Sequence, residues 1–169
     1  MVTQSADEGA MFRIIPADSE AKISQARNLF REYAATLGVG VCLGDYDREL
    51  ATLPGRYAPP EGRLVLAIEQ SGENKEEAIG CAALRKFEEG TCELKRLYVR
   101  PQFRGQGVAR ELVQDLIAQA KSIGYRRVVL DTLPSMREAH RLYEALGFHK
   151  IDAYQKDPIP GSLFFELPL

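Results

Sequence analysis

The chain reads Arg104-Gly105-Gln106-Gly107-Val108-Ala109 between a predicted strand and a predicted helix. The first N–H groups of a helix have no partner inside the helix, and the helix dipole places about half a positive charge at that end. Glycines in the preceding turn let the backbone take unusual dihedral angles and approach a ligand closely. The stretch therefore predicts a site for phosphate oxygens, although an ordinary strand-to-helix turn would produce the same pattern.

Two common phosphate-binding motifs do not match this stretch. A P-loop ends in Gly-Lys-Ser or Gly-Lys-Thr, whereas Gly107 is followed by Val108 and Ala109. A dinucleotide-binding fingerprint needs a third glycine, and its turn follows a strand of a parallel sheet. Arg110 occupies the position of that glycine, and the preceding strands are predicted to be antiparallel. The sequence thus disfavours both of these cofactor-binding classes.

The apolar pattern predicts one α/β domain over residues 12–169, after a flexible tail over residues 1–11. Three apolar runs separated by short polar turns in the middle of the chain are typical of an antiparallel meander. The whole order of elements predicts a central mixed, mostly antiparallel sheet of six to seven strands flanked by about four helices. The predicted strands lie at about 12–15, 64–68, 78–84, 92–99, 127–131, 148–154 and 163–167, and the predicted helices at about 19–37, 45–53, 107–123 and 139–146.

The composition limits the class of protein. The 169 residues include 22 Lys and Arg against 24 Asp and Glu, a formal net charge of −2, and this balance disfavours a nucleic-acid-binding surface. The sequence has no apolar run of about 18 residues and no basic, apolar leader, so we expect a cytoplasmic protein without a membrane segment. Three scattered cysteines (Cys42, Cys81 and Cys92) and the isolated His140 and His149 predict neither a disulfide framework nor a metal site.

Three segments of the chain resemble the GNAT superfamily of N-acetyltransferases. Arg104, Gly107 and Ala109 fit its Q/R-x-x-G-x-G/A motif, the turn that binds the pyrophosphate of acetyl-CoA. The segment 93–101 before the turn and the later segment 139–148 are similar to further family segments in the same order. The resemblance extends over nearly the whole predicted domain, and it implies a GNAT-like fold with acetyl-CoA as the cosubstrate.

The resemblance also implies which residues bind the cofactor. The backbone of the strand before the turn should pair with the pantetheine arm as an added strand, and the turn should hold the pyrophosphate. The family often has a cofactor-binding asparagine where this chain has Met136, and Ser135 is the nearest polar side chain that could replace it. The expected cofactor-binding residues are Leu97, Tyr98, Val99, Arg104, Gly105, Gln106, Gly107, Val108, Ala109, Ser135 and Tyr143.

Acetyl transfer to an amine requires a base for the amine proton and a proton donor for the departing CoA thiolate. In the family, a tyrosine at the position of Tyr143 points at the sulfur, although packing alone could place Tyr143 on its apolar helix face. Glu93 is the candidate base, because some members use a glutamate on this strand. Strand alternation predicts one shared face for Glu93, Lys95, Leu97 and Val99. An ion pair between Glu93 and Lys95 is the alternative role for this carboxylate.

The sequence therefore predicts an N-acetyltransferase that moves the acetyl group of acetyl-CoA to a primary amine of a small molecule or peptide, in a ternary complex and without a metal. One alternative is a non-catalytic acyl-CoA-binding sensor or assembly domain. Another is an acyltransferase that acts on protein or tRNA-linked substrates. The resemblance implies that residues 19–57 and 153–162 shape the acceptor site. The strand at 163–167 would suit a homodimer, and we expect no nucleic-acid or membrane partner.

Overall fold

A computed structural model describes residues 12–38, 46–71 and 75–169 of the chain. Within these residues it has seven strands and four α-helices in the predicted order, which confirms the predicted fold class. The predicted tail over residues 1–11 and Cys42 lie outside the described residues. The strands are β1 (Phe12–Pro16), β2 (Arg63–Ser71), β3 (Lys75–Glu88), β4 (Thr91–Val99), β5 (Arg127–Thr132), β6 (His149–Ile151) and β7 (Leu163–Pro168), and the helices are α1 (Glu20–Thr36), α2 (Tyr46–Thr52), α3 (Val108–Ile123) and α4 (Arg137–Ala145).

The seven strands form one mixed sheet in the order β1-β2-β3-β4-β5-β7-β6. Neighbouring strands run antiparallel except β4 and β5, which are parallel. These two strands pair only from Thr91 opposite Arg127 to Glu93 opposite Val129. Beyond Glu93 they separate, so a wedge opens in the middle of the sheet.

Two expectations for the C-terminal strands need correction. β6 ends at Ile151, whereas the sequence pattern predicted a strand as far as Tyr154. β7 lies between β5 and β6, and it pairs with both of them. The strand that was expected to suit a homodimer is therefore an interior strand, and its backbone groups are already used within the sheet.

Helices cover both faces of the sheet. The hydroxyl of Ser19 caps α1 by accepting from the Lys22 N–H, and α1 buries Leu29 and Phe30 against one face together with side chains of α2. The other face is covered by α3 and α4, where Leu112 and Leu116 are completely buried. Each buried leucine of this kind contributes about 1.5–3 kcal/mol to the free energy of unfolding. In the part of the chain that the structure describes, no helix is long and apolar enough to cross a bilayer.

A β-bulge interrupts β4 directly beside the wedge. Arg96 has a φ of +60°, and the register with β3 shifts at this point, so that β4 contains one extra residue. Leu97 and Val99 consequently pack on the α3 side of the sheet. The prediction that they share a face with Glu93 and Lys95 is wrong, because strict alternation holds only for a regular strand.

Candidate active site

The glycine turn has the geometry of an anion-binding helix start. Gly105 and Gly107 have φ values of +75° and +85°, which glycine adopts without the steric cost that other residues meet. Gly107 is the N-cap of α3, and the first helical hydrogen bond runs from the Glu111 N–H to the Gly107 carbonyl at 3.1 Å. The N–H groups of residues 108–110 precede that bond and have no helical acceptor, so they can donate to an anion.

The wedge contains a cavity of about 830 Å³ that starts at this turn. It runs along the end of β4 to the start of α4. Gln106 is exposed and lies outside its lining, unlike the other residues of the predicted turn. The predicted cofactor residues that line it are Leu97, Tyr98, Val99, Arg104, Gly105, Gly107, Val108, Ala109 and Ser135.

The end of β4 has one backbone edge toward this cavity that no strand of the described residues pairs with. On one side, Tyr98 pairs with Cys81 and Val99 pairs with Gly80 of β3. On the other side, β5 has already separated from β4 after Glu93. A ligand that carries amide groups can therefore pair with residues 97–99 as an added strand.

Arg104 braces the turn against this strand end. Its Nε donates to the Val99 carbonyl at 2.9 Å, and its guanidinium lies 5.8 Å from the centre of the Tyr98 ring. Arg100, which also lies near the turn in sequence, is used elsewhere. It forms ion pairs with Glu32 of α1 at 2.8 Å and with Glu77 of β3 at 2.6 Å.

A second, inner cavity of about 290 Å³ lies deeper in the wedge. Tyr143 forms part of its wall, and its ring packs against Phe148 and Phe165 with centroid separations of 5.6 and 6.1 Å. Burial raises the pKa of the Tyr143 hydroxyl, so the hydroxyl remains protonated at neutral pH. The structure thus shows the packing of Tyr143 and places it in the cavity wall, and its role as proton donor stays a prediction.

The wall of the inner cavity also carries charged groups. Lys95 Nζ lies 3.1 Å from Asp131 Oδ1, and both residues line the cavity. Gln155 and Asp157, from the segment between β6 and β7, also line the cavity. Sequence reasoning placed this segment near the acceptor but did not single out either side chain.

Glu93, the predicted base, does not form part of the cavity walls that the described residues make. Its side chain is buried, with 0% of the residue exposed. Burial alone would raise the pKa of its carboxyl, but Lys95, the Tyr154 hydroxyl and Arg85 outweigh that effect and lower the pKa below the usual value of 4.5. Glu93 is therefore an enclosed carboxylate that stays ionised at neutral pH, an arrangement that does not favour the predicted role as base.

Met136 occupies the position where an asparagine was expected by resemblance. It is the N-cap of α4, its side chain makes no capping hydrogen bond, and it lines both cavities. His140 Nε2 lies 3.0 Å from the Leu133 carbonyl, which is a structural contact. Among the described residues, no cluster of His, Cys, Asp and Glu side chains has the arrangement of a metal site.

Known proteins share both the sequence pattern and this architecture. The model of the acetyltransferase (GNAT) family matches residues 26–148. The chain belongs to this family. It is accordingly an acyltransferase.

Three known GNAT-like proteins illustrate the similarity. An uncharacterised N-acetyltransferase of Schizosaccharomyces pombe is 37% identical over 142 residues, which cover 83% of this chain and 85% of that protein. An acyl-CoA N-acyltransferase structure from Klebsiella pneumoniae has a TM-score of 0.73 and 28% identity, covering 95% of this chain and 99% of that one. The structure of a Salmonella typhimurium acetyltransferase with its cofactor acetyl-CoA has a TM-score of 0.70 and 23% identity, covering 94% of both chains.

Proposed function

We propose that the protein transfers the acetyl group of acetyl-CoA to a primary amine of a small molecule or peptide, with both substrates bound at once. One observation carries this proposal: the two cavities adjoin each other between the glycine turn and Tyr143. Several residues line both cavities, among them Tyr33, Leu97 and Ala139. A cofactor in the outer cavity and an amine in the inner cavity could therefore meet without leaving the wedge.

The outer cavity suits the cofactor in three respects. The free N–H groups at the start of α3 favour phosphate oxygens. A methyl group built on Gly105 or Gly107 would meet no protein atom within 4 Å, so the space above the turn is open to a ligand. The free edge of residues 97–99 suits the amide groups of the pantetheine arm, and Ser135 lies across the cavity as a further polar contact.

The inner cavity suits the reaction itself. Acetyl-CoA supplies the acetyl group as a thioester, and the amine nitrogen forms the new bond to the carbonyl carbon as the bond to sulfur breaks. Tyr143 then donates its hydroxyl proton to the departing thiolate. The hydroxyl is protonated at neutral pH when the thiolate forms, and water returns a proton to Tyr143 afterwards. The lost amine proton passes to water or to a carboxylate of the wall, such as Asp131.

We also propose that residues 12–169 act as a single acetyltransferase domain. The strands of the described residues join one sheet, and the cleft is built from elements in both halves of the chain. The volume of the inner cavity, about 290 Å³, favours a small acceptor or the end of a peptide over a folded surface.

The test is an assay of thiol release from acetyl-CoA with a panel of primary amines, with the acetylated product identified by mass spectrometry. We expect release that depends on both the protein and one class of amine. A non-catalytic acyl-CoA-binding domain would bind CoA but release no thiol with any amine. That result, obtained with folded protein and a broad panel of amines and peptides, would contradict the proposal.

A further inference from the structure

The segment 152–162, between β6 and β7, supplies one side of the inner cavity. It has neither helix nor strand, and much of it is exposed. Gln155, Asp157 and Ile159 of this segment all line the cavity. Without regular hydrogen bonds of its own, the segment depends on side-chain contacts for its position.

One buried carboxylate receives the main polar contacts of this segment. The Tyr154 hydroxyl donates to Glu93 Oε2 at 2.6 Å, and Gln155 Nε2 donates to the same oxygen at 3.1 Å. The Tyr154 ring packs edge-on against Phe87 and Phe164, with centroid separations of 5.0 and 5.2 Å. Aromatic packing and two hydrogen bonds to a charge thus attach the segment to the sheet at Tyr154 and Gln155.

The other oxygen of Glu93 is bound on the sheet itself. Arg85 of β3 contacts Oε1 through Nε at 2.9 Å and through its terminal nitrogen at 2.7 Å. Lys95 lies 3.9 Å from Oε2. Both oxygens are therefore engaged, and the paired cations offset the cost of burying the negative charge. A base needs a free oxygen at the reacting amine, and this carboxylate has none facing the cavity.

We propose that Glu93 is a positioning residue that holds the segment 152–162 in place as the acceptor-side wall of the inner cavity. The assignment of that wall to the acceptor rests on the function proposed above. The anchoring itself does not, because it follows from contacts within the protein. Loss of the anchor should loosen the segment and weaken acceptor binding while leaving the cofactor end of the cleft unchanged.

The first test measures anchoring without any activity. Lys156 is exposed within the segment, so limited trypsin digestion can cut the chain after it. Both Glu93→Gln and Tyr154→Phe should speed this cleavage, by about tenfold for loss of a hydrogen bond to a charged group. Glu166→Gln is the matched control, since Glu166 also pairs with an arginine, Arg127 at 2.9 Å, but contacts neither the segment nor the cleft.

The second test separates positioning from base catalysis. With an accepted amine, Glu93→Gln and Tyr154→Phe should both raise the acceptor KM about tenfold, with kcat and the KM for acetyl-CoA within about threefold of wild type. A catalytic base would instead lose kcat about a hundredfold in Glu93→Gln alone.

Each outcome has a clear meaning. If cleavage after Lys156 is unchanged in both folded variants, the anchoring inference is wrong whatever the kinetics show. If cleavage accelerates but no amine is acetylated, the anchor stands and the proposed function fails. Should Glu93→Gln not fold, Tyr154→Phe decides alone, because it removes one hydroxyl and leaves the carboxylate paired with Arg85.

Discussion

Lys95 and Asp131 form an ion pair across the point where β4 and β5 separate, with 3.1 Å between Nζ and Oδ1. Backbone pairing of the two strands ends just before them, at Glu93 and Val129. Their side chains are 12% and 23% exposed, so the pair is mostly shielded from water. The two strands are thus linked by charge where their backbone hydrogen bonds stop, at a polar part of the inner cavity wall.

Asp131→Asn tests whether this charge attracts the amine. A carboxylate stabilises a bound ammonium group more strongly than an amide does. The acceptor KM should therefore rise about tenfold in Asp131→Asn. CoA affinity should change little, because Asp131 lines only the inner cavity. Steady-state kinetics against both substrates measure this. Asp115→Asn is the control, since Asp115 of α3 bonds to Gln119 instead. An unchanged acceptor KM would remove Asp131 from the acceptor site.

Gly107→Ala tests the anion-binding turn. Gly107 and Gly124 bound α3 at its two ends, both with positive φ, and a methyl group on either meets no protein atom within 4 Å. Gly124→Ala is therefore the matched control. The backbone strain of an alanine, about 1–2 kcal/mol, should be similar in Gly107→Ala and Gly124→Ala. Only Gly107→Ala places its methyl group where phosphate oxygens would lie, so it should weaken CoA binding about tenfold or more. Calorimetric titration with CoA measures the affinity of each variant. Equal affinities of Gly107→Ala and Gly124→Ala for CoA would contradict a phosphate site at this turn.

Tyr143→Phe tests the proton donor. Removal of the hydroxyl should lower kcat about a hundredfold, because the thiolate then leaves without its proton. The phenyl ring keeps the contacts with Phe148 and Phe165, so CoA affinity and folding should be nearly unchanged. Tyr125→Phe is a suitable control: its hydroxyl donates to the Glu61 carbonyl at 2.7 Å, away from the cleft. Wild-type turnover in Tyr143→Phe would leave Tyr143 with its packing role alone.

The parts of the fold that depend on local pattern could be predicted from the sequence. Apolar periodicity located the elements, and the predicted helix at 107–123 agrees with α3, which Gly107 and Gly124 bound with positive φ. The bulge at Arg96 could not be predicted, since a positive φ at an arginine has no local signal. That single irregularity put Leu97 and Val99 on the face opposite to the expected one.

The contacts of Glu93 show a second limit of sequence reasoning. The sequence placed it on the strand beside the cleft, and this placement is correct. Its partner Tyr154 is 61 positions away, in a segment without regular structure. Neither charge nor spacing indicates that a tyrosine and a glutamine there will enclose the carboxylate, because such contacts depend on how the whole sheet brings the segments together.

The pH dependence of stability provides a last prediction. Lys95, Tyr154 and Arg85 together outweigh burial and hold the pKa of Glu93 below its usual 4.5 in the folded protein. A carboxyl whose pKa is lower in the folded than in the unfolded chain stabilises the fold above the unfolded value. That contribution is lost as the pH falls through the folded pKa.

Urea unfolding of wild type and Glu93→Gln from pH 7 to about pH 3 measures this contribution. The free energy of unfolding of wild type should exceed that of the variant by a constant amount above about pH 5, and the difference should narrow below pH 4.5. Glu166→Gln keeps Glu93, so its free energy of unfolding should retain the part of the pH dependence that Glu93 causes. A difference that stays flat or widens toward low pH would mean that the charge of Glu93 does not stabilise the fold.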